Sequence, residues 1–209
     1  EKEIYSNEIN SLLKNYVKGQ LKKAHEVAQK RLENNTYKGK ECAQQLSLLH
    51  DELIINYINF LSKYLYPLNN PTEAEKISVL ATGGYGRGLL APQSDIDLLF
   101  LLPYKKTAWA EAAIENILYF LWDLGLKVGQ ATRSISESLL LAEKDQTITT
   151  SMLDARHLWG NKELSKRFKT SYREKLEKMS SADFIQAKLD EREERQYKAG
   201  QSRYLVEPN

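Results

Sequence analysis

The chain has 209 residues, with 42% hydrophobic and 28% charged residues, 10 Gly and 5 Pro. That composition suits one folded domain with a helical extension and excludes disordered, collagenous or low-complexity chains. A net charge of +2 argues against coating a long nucleic acid.

No apolar run approaches the roughly 18 residues that a membrane helix needs, so no membrane partner is expected. Glu1 to Glu8 is charged with no apolar stretch behind it, which predicts no signal peptide. Cys42 is the single cysteine. It excludes an internal disulfide and any multi-cysteine zinc site, and a reducing cytoplasm is the expected compartment.

In chain order, residues 1–72 read as an N-terminal helical region. Ile9, Leu12, Leu13, Tyr16, Val17, Ala24, Val27, Ala28 and Leu32 recur at three-and-four spacing and paint one helix face. Asn34, Asn35 and Gly39 break the pattern. Cys42, Leu46, Leu49, Leu53, Tyr57, Phe60 and Tyr64 carry a second helix, ended by a loop from Pro67 to Pro71. An antiparallel helical pair is expected. Residues 73–160 form the expected core. Ile77 to Ala81 reads as a short strand, followed by Gly83-Gly84-Tyr85-Gly86-Arg87-Gly88 as a turn. Asp95 to Leu102 predicts a second strand, Thr107 to Leu124 a helix stopped by Gly125, and Lys127 to Ile135 a third strand. Everything after Ser136 reads as helical, including residues 161–209 as a C-terminal extension. The expectation is an α+β fold, a small mixed sheet with helices packed on it and helical additions at both ends.

The informative segment is Gly83-Gly84, ten intervening residues, then Asp95-Ile96-Asp97. Consecutive glycines after a strand let the backbone approach a ligand with no side chain in the way. A helix starting there would offer free N–H groups to phosphate oxygens, with Arg87 placed to add a charge-assisted bond. Asp95 and Asp97 stand two apart on the expected strand, so both carboxylates share one face. Two adjacent carboxylates repel unless a cation sits between them, and Mg²⁺ is the usual solution where substrate phosphates complete its shell. A Gly-Gly turn alone is mostly a turn, and Asp-x-Asp alone is mostly a surface pair. Their conjunction on neighbouring strands, with the acids set flush against Leu98-Leu99-Phe100-Leu101, describes a nucleoside-triphosphate site. The glycine spacing fits neither a dinucleotide-binding fingerprint nor a Walker loop.

These residues resemble the nucleotidyltransferase superfamily typified by DNA polymerase β. The longer run from Gly83 to Leu101 is similar to the N-terminal catalytic domain of the bifunctional uridylyltransferase/uridylyl-removing (GlnD) family. Further matching stretches are Phe120 to Gly129, Ala131 to Ile135, Thr147 to Gly160 and Ser202 to Asn209. The resemblance implies a polymerase β-like fold and a reaction. UTP is the donor, a tyrosine hydroxyl of the signalling protein PII is the acceptor, and pyrophosphate leaves. It implies that Asp95 and Asp97 are catalytic and hold Mg²⁺, or Mn²⁺ in its place. It also implies that Gly83, Gly84, Arg87, Ser94 and Arg133 bind the nucleotide. Two departures stand out. The superfamily has a third carboxylate on the next central strand, whereas Lys127 to Ile135 has none; Asp123, Glu137, Asp145 and Asp154 are the nearest candidates. The family enzymes also continue into a phosphohydrolase domain and glutamine-sensing domains, so a fragment or a short form is expected here. Transfer to another acceptor, or nucleotide binding without catalysis, are the alternatives.

Other residues admit plainer readings. His50-Asp51 spells the dipeptide of metal-dependent phosphohydrolases but lies within a helical pattern. His157 is expected on a helix face near Trp159. Arg133 reaches either the triphosphate or a surface acid. Lys162 to Lys178, with seven basic and three acidic residues, is expected to be a solvated helix face. Cys42 is expected to be a buried structural thiol.

Overall fold

The computed structural model describes residues 2–34, 38–92, 94–178, 185–186, 189–190, 192–193 and 197, with backbone alone for 2–10. Two helices open the chain, α1 (Lys2–Glu33) and α2 (Gly39–Phe60), the latter running on through a π turn at Leu61–Leu65. Then follow β1 (Ser78–Ala81), the single turn α3 (Gly83–Gly86), β2 (Ile96–Leu102), α4 (Ala108–Asp123) and β3 (Val128–Ser134). The chain continues as α5 (Ile135–Lys144), α6 (Gln146–Leu153), β4 (Arg156–Gly160) and α7 (Lys162–Glu177). The expected Asn35 break and the Ser202 to Asn209 stretch lie outside the described residues.

The sheet has the order β3-β2-β1-β4. β1 pairs antiparallel with β2 and β4, while β2 and β3 run parallel. A parallel pair needs a crossover, which α4 supplies. The α+β expectation of a small mixed sheet with packed helices holds. One correction concerns the segment after Ser136. Arg156–Gly160 is a strand at the sheet edge, so His157 sits on a strand rather than a helix face.

Helices cover both faces of the sheet. Val79 and Ala81, with Ile96, Leu98, Phe100 and Leu102, join α2 and α4 in one apolar cluster. Leu80, Leu99 and Leu101 face the other way, against Met152, Leu164, Phe168 and Tyr172. Burial on both sides explains why β2 reads as an unbroken apolar run. On the first face Tyr57 of α2 stacks on Phe120 of α4, ring centroids 3.5 Å apart. α1 is less embedded: Leu21 and Ala28 are buried, whereas Leu12, Tyr16 and Val27 of the expected apolar face are exposed.

The element boundaries follow local chemistry. The Thr107 side chain accepts from Ala110 N–H to start α4, and Asn161 accepts from Glu163 and Leu164 N–H to start α7. Ser134 and Glu137 form a reciprocal capping box on α5, and the Asp145 side chain caps α6. Gly125, at φ 83°, ends α4.

Candidate functional site

Asp97 is the second residue of β2 and belongs to the odd-numbered face, shared with Leu99 and Leu101. β1 ends beside it, and Thr82 N–H extends the ladder by donating to the Asp97 carbonyl at 3.0 Å. The chain then turns into α3. Gly83 adopts φ 56°, and a Cβ there would lie 2.7 Å from Asp97 Oδ2. From the other side, register pairs Asp97 with Gly129 of β3. A Cβ at Gly129 would lie 2.4 Å from Asp97 Oδ1. The carboxylate therefore occupies a slot that exists because both neighbours lack side chains.

Burial raises the Asp97 pKa above the ordinary carboxylate range, and the charge of Asp95 raises it further. Asp95 itself is exposed and immediately precedes β2. Two hard oxygen donors of like charge, one half-buried, form a donor set suited to Mg²⁺ or Mn²⁺.

In front of Asp97 opens a cavity of about 270 Å³, lined by Thr82, Asp97, Gly129, Gln130, Arg133, Thr147 and Ser151 among others. Of the sequence-derived residues, Asp97 and Arg133 line this cavity, Gly83 borders the Asp97 carboxylate and Asp95 acts on Asp97 through its charge. Gly84 is less constrained than Gly83, because a Cβ there would make only ordinary contacts, 3.7 Å from Arg87 Nη2. Arg87 forms an exposed ion pair with Asp154 at 3.1 Å. Ser94 lines a second cavity of about 240 Å³ with His25, His50 and Lys127.

Each candidate third carboxylate has a structural partner. Asp123 pairs with Lys14, Glu137 and Asp145 cap helices, and Asp154 holds Arg87. Among the described residues lining the cavity, Asp97 is the one acid. Gly129, Thr147 and Ser151 lie in stretches matched to the family, but nothing along the chain assigned them a role at the site. Gly129 becomes visible only once β3 is laid parallel to β2 in register.

The profile of the nucleotidyltransferase domain family matches residues 68–152, the stretch that contains the glycine turn, both aspartates and β3. The chain carries a nucleotidyltransferase domain. It is similar over nearly its whole length to two curated relatives named bifunctional uridylyltransferase/uridylyl-removing enzyme. Identity is 47% over 199 residues with the Nitrobacter winogradskyi protein, covering 95% of this chain and 21% of that protein. With the protein of Bradyrhizobium sp. (strain ORS 278) it is 49% over 194 residues, covering 93% and 21%. The chain thus spans about a fifth of the length of these relatives. Among solved structures, a toxin–antitoxin with AMP-PNP matches at 18% identity and a TM-score of 0.39, covering 66% of this chain and 96% of that one. The toxin–antitoxin MntA–HepT matches at 17% and 0.37, covering 67% and 97%.

A nucleotidyltransferase domain makes this an enzyme that acts on a nucleotide, and its fold generally employs divalent cations. Among the described residues no helix is long and apolar enough to cross a membrane.

Proposed function

We propose that this domain transfers a uridylyl group from UTP to a tyrosine hydroxyl of a PII-type signalling protein. The observation that carries the reading is the Asp97 carboxylate, held half-buried between Gly83 and Gly129 and beside Asp95. The 47–49% identity with the two uridylyltransferases supports the choice of donor and acceptor.

Asp95 and Asp97 would hold Mg²⁺, which when bound neutralises triphosphate charge. The Gly83 and Gly84 backbone leaves an open approach for the β- and γ-phosphates, and a helix start leaves its first N–H groups without helical partners, whereas Gly86 N–H donates to the Thr82 carbonyl. Ser94, just ahead of Asp95, lines the second cavity and is given no part in holding the phosphates. Arg133 projects from β3 into the cavity and supplies positive charge to the nucleotide. Arg87 joins the phosphates by leaving Asp154, an exposed pair of little energetic weight. The tyrosine oxygen then attacks the α-phosphorus in line. The new O–P bond forms as the bond to pyrophosphate breaks, and the hydroxyl proton is released. The protein's contribution is positioning and charge placement.

Incubation with α-labelled UTP or ATP and Mg²⁺, with and without PII, tests the reading. Label on PII from UTP alone is expected, and Asp97→Ala abolishes it. Label on another acceptor would redirect the substrate assignment. Nucleotide binding without any transfer would leave a binding module.

A further inference from the structure

Three of the four residues of α3 are glycine. Glycine has the most conformational freedom to lose on folding, so such a turn holds one geometry only if something outside it does the holding. The structure shows what does. Arg156, on edge strand β4, donates from Nε to the Gly86 carbonyl and from Nη2 to the Tyr85 carbonyl, each at 3.2 Å. These are the last two carbonyls of the turn; the Tyr85 carbonyl also accepts from Gly88 N–H at 3.0 Å, so Arg156 adds a side-chain hold to the backbone one there. The guanidinium carbon also lies 5.5 Å from the ring centroid of Tyr85, a fully buried side chain.

Arg156 is itself held. Its Nη1 and Nη2 donate to the two Asp51 oxygens at 2.6 and 3.0 Å, a bidentate fork. Asp51 lies on α2, 105 residues earlier in the chain. Among the described residues it is the one carboxylate in the buried interior, with 8% of its surface exposed. The pair is part-buried, with 33% of the Arg156 side chain and 12% of the Asp51 side chain exposed, so desolvation offsets part of the attraction. It spends its remaining donors on the glycine turn.

We propose that Asp51 and Arg156 form a positioning pair that fixes the Gly83–Gly86 turn from behind for nucleoside-triphosphate binding. The proposal rests on the nucleotide site described above. Neither side chain lines the cavity in front of Asp97, so the pair acts through the backbone carbonyls of Tyr85 and Gly86.

The test measures Mg²⁺–UTP affinity by titration calorimetry for the wild-type chain, Asp51→Asn, Arg156→Gln, Arg156→Lys and the double variant Asp51→Asn/Arg156→Gln. Ile54→Ala, a buried change one turn along α2 that leaves the pair intact, is the control for general destabilisation. Below each protein's melting temperature, Asp51→Asn and Arg156→Gln are expected to weaken affinity by about tenfold or more. Arg156→Lys keeps the charge but loses the fork, and should fail similarly; it carries the test if Arg156→Gln does not fold. The double variant should be no weaker than the worse single change, as for two groups acting as a unit. In turnover assays the KM for UTP rises while the acceptor's KM stays within about twofold. Ile54→Ala should lose at least as much thermal stability yet keep its affinity within about twofold. Pair variants that bind like wild type overturn the proposal, as does an Ile54→Ala chain that loses affinity equally. A wild-type chain that binds no UTP overturns the nucleotide-site reading itself, and this proposal with it.

Discussion

The Asp97 oxygens fill the space that side chains at positions 83 and 129 would need. Burial and the neighbouring Asp95 raise its folded pKa above the unfolded value. The linkage sign follows from that direction. Stability associated with the protonated carboxyl is fully present below the ordinary carboxylate range and is lost as pH rises through the raised value. At neutral pH the metal-free protein therefore carries an unrelieved repulsion, which a bound cation removes. We expect millimolar Mg²⁺ to raise the melting temperature of the wild type at pH 7 and to leave Asp97→Asn unmoved. Metal-free Asp97→Asn should melt above metal-free wild type at pH 7, and the gap should close below the carboxylate range. Scanning calorimetry across pH checks both, and a wild type indifferent to Mg²⁺ would contradict them. Gly129→Ala tests the other wall of the slot. Its Cβ would displace Oδ1 from 2.4 Å, while its backbone is outside the left-handed region. Transfer should fall by about a hundredfold with the melting temperature nearly unchanged, since a small misplacement of a reacting group is that costly.

At the scale of elements, the sequence was legible where one pattern dominated. The α4 periodicity, the apolar run of β2 and the stop at Gly125 each appear within a residue or two of expectation. The slot for Asp97 was half legible: the Gly83 side could be read along the chain, whereas Gly129 depends on parallel pairing between distant strands. β4 was not legible. Its five residues alternate poorly, Arg156 and Trp159 are only part-buried, and α6 and α7 close in on both sides. A signal was nevertheless present in Gly160-Asn161, a left-handed glycine followed by the cap of α7. Gly160 has φ 90°, and a Cβ there would lie 2.3 Å from the Ile77 carbonyl oxygen, on rigid backbone. Gly160→Ala should cost on the order of 2–4 kcal/mol in urea unfolding, from strain plus a displaced β1–β4 contact. Gly19, in mid-α1 with nothing near its Cβ position, predicts the opposite sign. Gly19→Ala should stabilise by up to about 1 kcal/mol.

Across the whole molecule, one apolar cluster joins α1 and α2 to the sheet, and the Asp51–Arg156 pair ties α2 to the glycine turn. The relatives' name couples two activities, uridylyl transfer and uridylyl removal. Hydrolytic removal calls for several His and Asp ligands gathered around metal. The chain's three histidines are placed otherwise. His25 and His50 stand edge to face with ring centroids 5.5 Å apart, and His50 Nδ1 lies 2.7 Å from the Leu46 carbonyl oxygen. Desolvation lowers the pKa of both, and His50 is further lowered by His25, so the pair favours the neutral form. His157 bonds Ser78 and Ser165 on the opposite side of the sheet edge. Asp51, the acid of the His50-Asp51 dipeptide, is engaged by Arg156. Among the described residues no group of three or more His, Cys, Asp or Glu side chains could gather around a metal. We therefore expect this 209-residue chain to release no UMP from uridylylated PII in the presence of Mg²⁺ or Mn²⁺. The acceptor's mass, followed by mass spectrometry over hours, is the readout, with pyrophosphate left out to prevent simple reversal of transfer. A return to the unmodified mass that survives Asp97→Asn would reveal a second hydrolytic centre, and its loss in His50→Ala would place that centre at the paired histidines.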